Sequence, residues 1–334
     1  MTDAQFAMSL YDPLIERDID GIRTSLRDFR AGHSSDDLFL AVARFAVLAY
    51  SPSLHGKHAV LCCLAAHDLR EELGDRFDDV LVECAIYAAL ARQPWSEPPI
   101  LEPPAIDSNQ PVDAGELRMA IRDSDRLRAE RWLAARLDDD RLRRDYFRVA
   151  CDDFEDLGHK LIMAVAAWRL STILGEKGRF AALRVGIWEM AASSRGGPYR
   201  ERGEAVDFQP LVDALVDHAV AEHGSLFALH DLFLLDAACE AASIADDLGI
   251  ASRVRDYLTC EIEHGHGRSS HAAPARTAAP ALPLYALGRD CGACLIARAV
   301  AKRLADRFPG VDVAPMLEAA GENLETAPSL EEWR

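Results

Sequence analysis

Three segments of this 334-residue chain share one plan: a short or Gly-containing lead, a histidine, then an apolar, Ala-rich run with helical periodicity. They are His55-Gly56-Lys57-His58-Ala59-Val60-Leu61, Leu157-Gly158-His159-Lys160-Leu161-Ile162-Met163 and Leu229-His230-Asp231-Leu232-Phe233. His58, His159 and His230 hold the equivalent place in each. A helix that is apolar on most sides is buried, so its first turn opens into the protein interior. Three such helices starting at one level bring three imidazoles together. Neutral imidazole is the commonest ligand of iron, zinc and copper, and a three-histidine set leaves coordination positions open to water, oxygen or substrate. A ligating imidazole also needs its second ring nitrogen held by a carboxylate or carbonyl. Asp153, Glu155, Asp231 and Asp236 lie close by in sequence, and Asp231 and Asp236 are the candidates for that supporting role. Taken singly, a histidine at a helix start also serves simply to bond a backbone group or a carboxylate. The metal reading belongs to the trio. His55 and His67 are further candidate ligands.

Other motifs fail on inspection. Gly56-Lys57-His58 lacks the leading Gly and the following Ser or Thr of a phosphate loop. Asp18-Ile19-Asp20-Gly21 starts like a calcium loop, but Arg27 stands where the bidentate Glu belongs. There is no His-Glu-x-x-His and no Gly-x-Ser-x-Gly. Cys291-Gly292-Ala293-Cys294 has metal or redox spacing but no second pair. Asp138-Asp139-Asp140 fits a solvated helix junction with a capping duty, and Trp132, Trp168 and Trp188 fit helical core positions. Glu83 and Tyr87, one turn apart in an apolar stretch, are weaker candidates for lining a pocket.

The elements that must position the histidines are helical almost throughout, with no convincing alternating strand. Residues 14–30 are amphipathic. Ser34-Ser35-Asp36 offers an N-cap for a helix through Tyr50, and Ser51-Pro52 breaks it. Helices are expected at about 55–73, 76–92, 113–123, 125–137, 139–153, 157–175, 178–194, 209–223, 225–247, 250–263, 284–307 and 312–323. Residues 93–112 are Pro-rich and extended. Residues 264–283, rich in His, Ala, Pro and Ser, are expected to be a flexible loop, so His264, His266 and His271 are expected to be solvated. The expectation is an all-α fold over residues 1–334, a multi-helix bundle or solenoid-like array of antiparallel helix pairs without a Rossmann domain. No strict 34-residue repeat supports a tetratricopeptide array.

Composition sets the outer bounds. Hydrophobic residues make up 49% of the chain and charged residues 28%, enough for a sizeable core. The formal charge of −18 argues against a nucleic-acid or acidic-membrane surface, which needs clustered Lys and Arg. The longest apolar runs fall far short of the roughly 18 residues that cross a membrane. Met1-Thr2-Asp3 opens with neither a basic start nor an apolar signal core, so a cytoplasmic protein is expected. The 8 cysteines, two of them adjacent in an apolar helix, then read as reduced thiols.

At the three histidine-headed segments the chain resembles the questin oxidase-like family. The matching pieces are His55-Gly56-Lys57-His58-Ala59-Val60-Leu61, Gly158-His159-Lys160-Leu161-Ile162 and His230 onward, and the resemblance runs loosely over about residues 50–300. It implies a helical oxidoreductase in which histidines hold a non-haem iron, oxygen enters an aromatic polyketide of anthraquinone type during ring opening, and NADPH accompanies some activities. This chain departs from the family at Cys294-Leu295-Ile296-Ala297, where a late His and Lys are expected. Cys294 then becomes a candidate additional ligand. The resulting expectation is an Fe(II) oxygenase of secondary metabolism acting on an aromatic small molecule, with zinc as the alternative metal. Self-association is compatible with the sequence. Two other readings stay open: a zinc-dependent hydrolase, because three histidines suit zinc as well, and a non-catalytic helical interaction module.

Overall fold

The structure is a computed structural model that describes residues 11–52, 54–91, 103–104, 113–154, 157–192, 208–221, 226–264 and 292–317. The described residues are helical throughout, without a strand. Most of the 93–112 stretch and nearly all of 264–283 lie outside them.

The helices follow the sequence signals closely. After α1 (Ile19–Gly32), α2 (Ser35–Ala49) starts at a capping box. The Asp37 N–H donates to Ser34 Oγ at 3.1 Å, and the Ser34 N–H donates to the Asp37 carboxylate at 3.0 Å. Next come α3 (Leu54–Asp68), the single turn α4 (Arg70–Leu73) and α5 (Phe77–Ala91). Beyond the Pro-rich stretch lie α6 (Ala114–Arg122), α7 (Arg126–Arg136) and α8 (Leu142–Ala150). The later helices are α9 (His159–Met190), α10 (Gln209–Ala221), α11 (Leu226–Ala245), α12 (Leu248–His264) and α13 (Gly292–Arg307).

α9 is broken at Gly175, whose φ of 66° and ψ of −167° no helix contains. A left-handed φ is cheap for Gly alone, so the break falls there. Its two halves pack against each other. A Cβ on Gly186 would sit 3.1 Å from Ala164 Cα, and Ala164 and Gly186 are equally far from Gly175 in sequence. The second half therefore returns along the first, and residues near Glu189 come back to the level of His159. Gly186 also admits the hydroxyl of Tyr146, which donates to the Leu183 carbonyl at 3.0 Å.

α3, the first half of α9, and α11 bury side chains around most of their circumference, as their apolar sequences require. α9 packs on both α3 and α11, while α13 packs on α3 and α11 from another side. α2 and α5 cover α3, and α12 covers α11. The buried apolar side chains on both sides of the Pro-rich stretch belong to one cluster, running from Leu14 to Met316. Among the described residues no helix is long and apolar enough to cross a membrane.

An ion layer ties these four helices together. Asp68, the last residue of α3, accepts from Arg169 of α9 and Arg303 of α13. Arg303 also donates to Asp236 of α11 at 2.8 Å, Arg307 lies 3.3 Å from the same carboxylate, and Arg169 lies 3.5 Å from Glu240 of α11. Burial alone would raise the Asp68 carboxyl. The nearby His67 ring, the hydrogen bond from Arg169 and the charges of Arg169 and Arg303 outweigh burial and hold it at about 2. Burial raises the Glu240 carboxyl, opposed by Arg169.

A carboxyl whose pKa is depressed on folding stabilises the fold above its unfolded value and loses that contribution as pH falls through the folded value. For Asp68 the window runs from about 3.8 down to about 2, and the contribution is on the order of 2 kcal/mol. Chemical denaturation between pH 6 and pH 2 should therefore show stability falling in that window. Asp68→Asn should be less stable at pH 6 and lose less on acidification. An unaltered pH dependence in that variant would contradict the assignment.

Candidate metal centre

The sequence starts each of the three helices with its histidine close to the N-terminus. His159 is the first residue of α9, and His58 and His230 are the fifth residues of α3 and α11. All three imidazoles meet. One ring nitrogen from each lies within 4.8 Å of the other two. His230 Nε2 and His159 Nε2 are 3.2 Å apart, and the ring centroids are separated by 4.8 Å for His159–His230, 5.8 Å for His58–His159 and 6.0 Å for His58–His230. The residues are buried, at 5%, 1% and 1% exposure for His58, His159 and His230.

Local backbone geometry brings α9 to α11 at this point. Gly158, the N-cap of α9, has φ 73°, and a Cβ there would fall 2.7 Å from the Leu234 methyl carbons, one helical turn beyond His230. Leu157 before it has φ 59°, a costly conformation for a branched side chain. The chain thus enters α9 through two consecutive left-handed residues, and the absence of a side chain at Gly158 sets His159 against His230.

Each histidine is the first member of a shared eleven-residue pattern. Ten residues after His58, His159 and His230 stand Asp68, Arg169 and Glu240, the charged groups of the ion layer. Seven and eight residues after them stand Ala65-Ala66, Ala166-Ala167 and Ala237-Ala238, and three residues after them Leu61, Ile162 and Phe233. The histidines touch at one end and the charged residues at the other, so the three helical segments run parallel and in register over about 15 Å. Parallel packing gathers three positive helix ends at the histidines. Carboxylates stand at the same end, Glu189 and Asp231 buried and Asp153 partly so. Glu189 pairs with Lys57 at 2.9 Å and accepts from the Tyr50 hydroxyl, Asp153 pairs with Lys160, and Asp231 follows His230. Burial, and then the adjacent Glu189 carboxylate, push the Tyr50 hydroxyl well above the usual phenol range, so it stays protonated and donating.

The other sequence candidates are sorted by position. His67 lies apart from the trio: its ring packs on Phe39 at 4.6 Å between centroids and its Nδ1 is 4.0 Å from Asp68. Nine residues turn it to the opposite side of α3 from His58. Asp236, expected to support a histidine, instead points down α11 into the ion layer and is engaged by Arg303 and Arg307. Asp231 stays at the histidine level and is buried. The side chains of His55 and Cys294 lie outside the described residues, as do Glu155, Cys291, His264, His266 and His271. Glu83 pairs with Arg23 of α1 at 3.2 Å, away from the histidines.

Sequence reading passed over Lys57, Lys160, Glu189, Tyr50 and the ion layer. A signal existed for two of them. The chain has four lysines, and two of those stand beside a histidine in an apolar run, where an ammonium must find a buried carboxylate.

Ligand nitrogens around a tetrahedral ion with bonds of about 2.0–2.1 Å stand roughly 3.3 Å apart. The His159–His230 edge has that spacing already. The same contact is a hydrogen bond if one neutral ring donates and the other accepts. Comparison of the chain with protein-family models, curated proteins and solved structures finds no match.

Gly158→Ala should force either the φ or the Leu234 contact to give, at a cost of roughly 2–4 kcal/mol. Denaturant titration checks the stability. The His159–His230 separation, read by crystallography of the variant, should widen. Unchanged stability would mean that α9 enters without the strained turn.

Proposed function

We propose that the protein is a metal-dependent oxidoreductase whose centre is held by His58, His159 and His230. The observation that carries the reading is the meeting of three buried imidazole nitrogens from three separate helices within 4.8 Å. A hydrogen-bonded pair of histidines accounts for the 3.2 Å contact, and the third imidazole beside it completes a three-nitrogen donor set.

The donor set fits a divalent first-row ion: three neutral nitrogen ligands, carboxylates near them, and a buried setting. Iron(II) is the ion proposed, with zinc as the competitor. Bound there, iron supplies the redox chemistry and open positions for small ligands. The chain's own residues have separate tasks. The apolar walls below the histidines exclude bulk water. The Lys57–Glu189–Tyr50 group and the Lys160–Asp153 pair keep buried charge balanced around the ligands. Zinc-dependent hydrolysis is the competing reading, because three histidines suit zinc as well as iron, and the identity of the bound metal separates the two. An interaction module fits less well. The large apolar side chains exposed among the described residues, Met119, Leu127, Val220 and Leu248, stand one to a helix, on α6, α7, α10 and α12.

The resemblance of the histidine-headed segments to the questin oxidase-like family supports oxygenation of an aromatic, polyketide-like substrate, with NADPH as a candidate reductant. An intracellular, cytoplasmic setting is part of this proposal, since a ferrous centre and buried thiols persist under reducing conditions. Cys62, Cys63, Cys84 and Cys151 are buried and outside any disulfide.

Anaerobically purified protein should carry about one iron or zinc ion per chain, and His159→Ala and His230→Ala should each lower metal affinity by roughly tenfold or more. Inductively coupled plasma spectrometry and competition with a chelator measure both. A full, equally tight metal complement in either variant would refute its role as a ligand.

A further inference from the structure

Below the histidines, α3, α9, α11 and α13 line a small, partly open cavity of about 40 Å³. Its upper wall is Leu61, Ile162 and Phe233, the residues one turn past each histidine, and the Phe233 ring lies 5.4 Å from the His230 ring. Its middle is lined by Ala65, Ala166 and Ala237, which stand at the same place in the three parallel helices. Its lower rim is the ion layer, with Arg169, Asp236, Glu240 and Arg303. Void space next to apolar side chains forfeits packing that a larger residue at any of the three alanines would recover.

We propose that this cavity is a binding site for a neutral molecule of two or three heavy atoms, and that Phe233 is the partition between it and the histidine layer. Size sets the upper limit. A pocket for a drug-sized ligand measures roughly 300–1,000 Å³, so no polycyclic aromatic enters here. A single water needs roughly 10–15 Å³ of such space, so there is room for about three water-sized atoms and a diatomic gas fits. Polarity selects within that size. The walls above the rim are hydrocarbon, so an ion entering there leaves water without gaining a partner. The charges at the rim are already paired with one another, Arg169 with Asp68 and Glu240, and Arg303 with Asp68 and Asp236. They offer an incoming ion no unmatched charge. An aromatic substrate must therefore approach the histidines from another direction, while the small neutral reactant comes through the helix bundle.

The binding site stands on the cavity alone. Delivery to the centre rests on the three-histidine reading, and the two are tested separately. Methyl NMR of the wild type under xenon pressure should show saturable shifts confined to the methyls that line the cavity, among them Leu61, Leu64, Ile162, Val165, Ile296 and Val300. Ala166→Leu and Ala237→Leu, which fill the cavity from different helices, should abolish them, with Ala65→Val as the milder filling if either fails to fold. Absence of the shifts in the wild type, or their persistence in the filled variants, would overturn the site. In iron(II)-loaded protein, nitric oxide association followed by stopped-flow absorption should be roughly tenfold slower in the filled variants and faster in Phe233→Ala, with metal content unchanged in all of them. Equal rates would overturn delivery through the cavity. A wild type that takes up xenon but no metal would leave the binding site standing and refute the histidine centre.

Discussion

The arrangement depends on one constraint: three helical segments must start side by side and run in the same direction. Parallel neighbours put like ends of their dipoles together, which is unfavourable among the helices themselves. The fold offsets this at both ends. Buried Glu189 and Asp231 and the partly buried Asp153 stand where the N-termini meet. Ten residues further on, Asp68, Arg169 and Glu240 lock the three segments to one another and to Arg303 of α13. A one-residue slip of any segment would move its histidine about 1.5 Å along the axis and rotate it by about 100°. It would also unpair a largely buried charge, and that cost is what holds the register.

Register explains why three imidazoles accumulate in an interior where a polar ring must find partners. Each sits within the first five residues of a helix. At α9 the entry takes two successive left-handed residues, and the packing of Gly158 on Leu234 fixes their outcome. The fold-back at Gly175 then returns Glu189 to the same level, so one continuous segment supplies both a histidine and the carboxylate that pairs with Lys57. The alanines between the histidines and the ion layer let the segments approach closely while leaving a void on their common side.

Much of this was legible in the residues. The all-helical architecture followed from three- and four-residue apolar steps, the start of α2 from Ser34, and the break near residue 175 from two periodic runs at about 157–175 and 178–194. The convergence of His58, His159 and His230 followed from their like positions at the heads of apolar helices. The repeated ten-residue step from histidine to charged residue was equally present in the sequence. Its meaning needed the helices' directions, which helical periodicity does not encode. Asp236 illustrates the gap. Its spacing from His230 suits support of that ring if the carboxylate turns toward the histidines, and suits an ion pair if it turns away. Arg303 of α13, 67 residues later, decides between the two. Lys57 and Lys160 met the same limit, because their carboxylates come from the returning half of α9 and from the segment before it.

The most direct test of the account is X-ray absorption spectroscopy at the metal edge of protein purified without added metal and without oxygen. Three imidazole nitrogens at about 2.0–2.2 Å, with the multiple-scattering pattern of histidine rings, are the predicted shell. The signal should lose one imidazole in His58→Ala and keep all three in His67→Ala. A shell built from sulfur, or an imidazole count that His58→Ala leaves unchanged, would contradict a centre formed by these three helices.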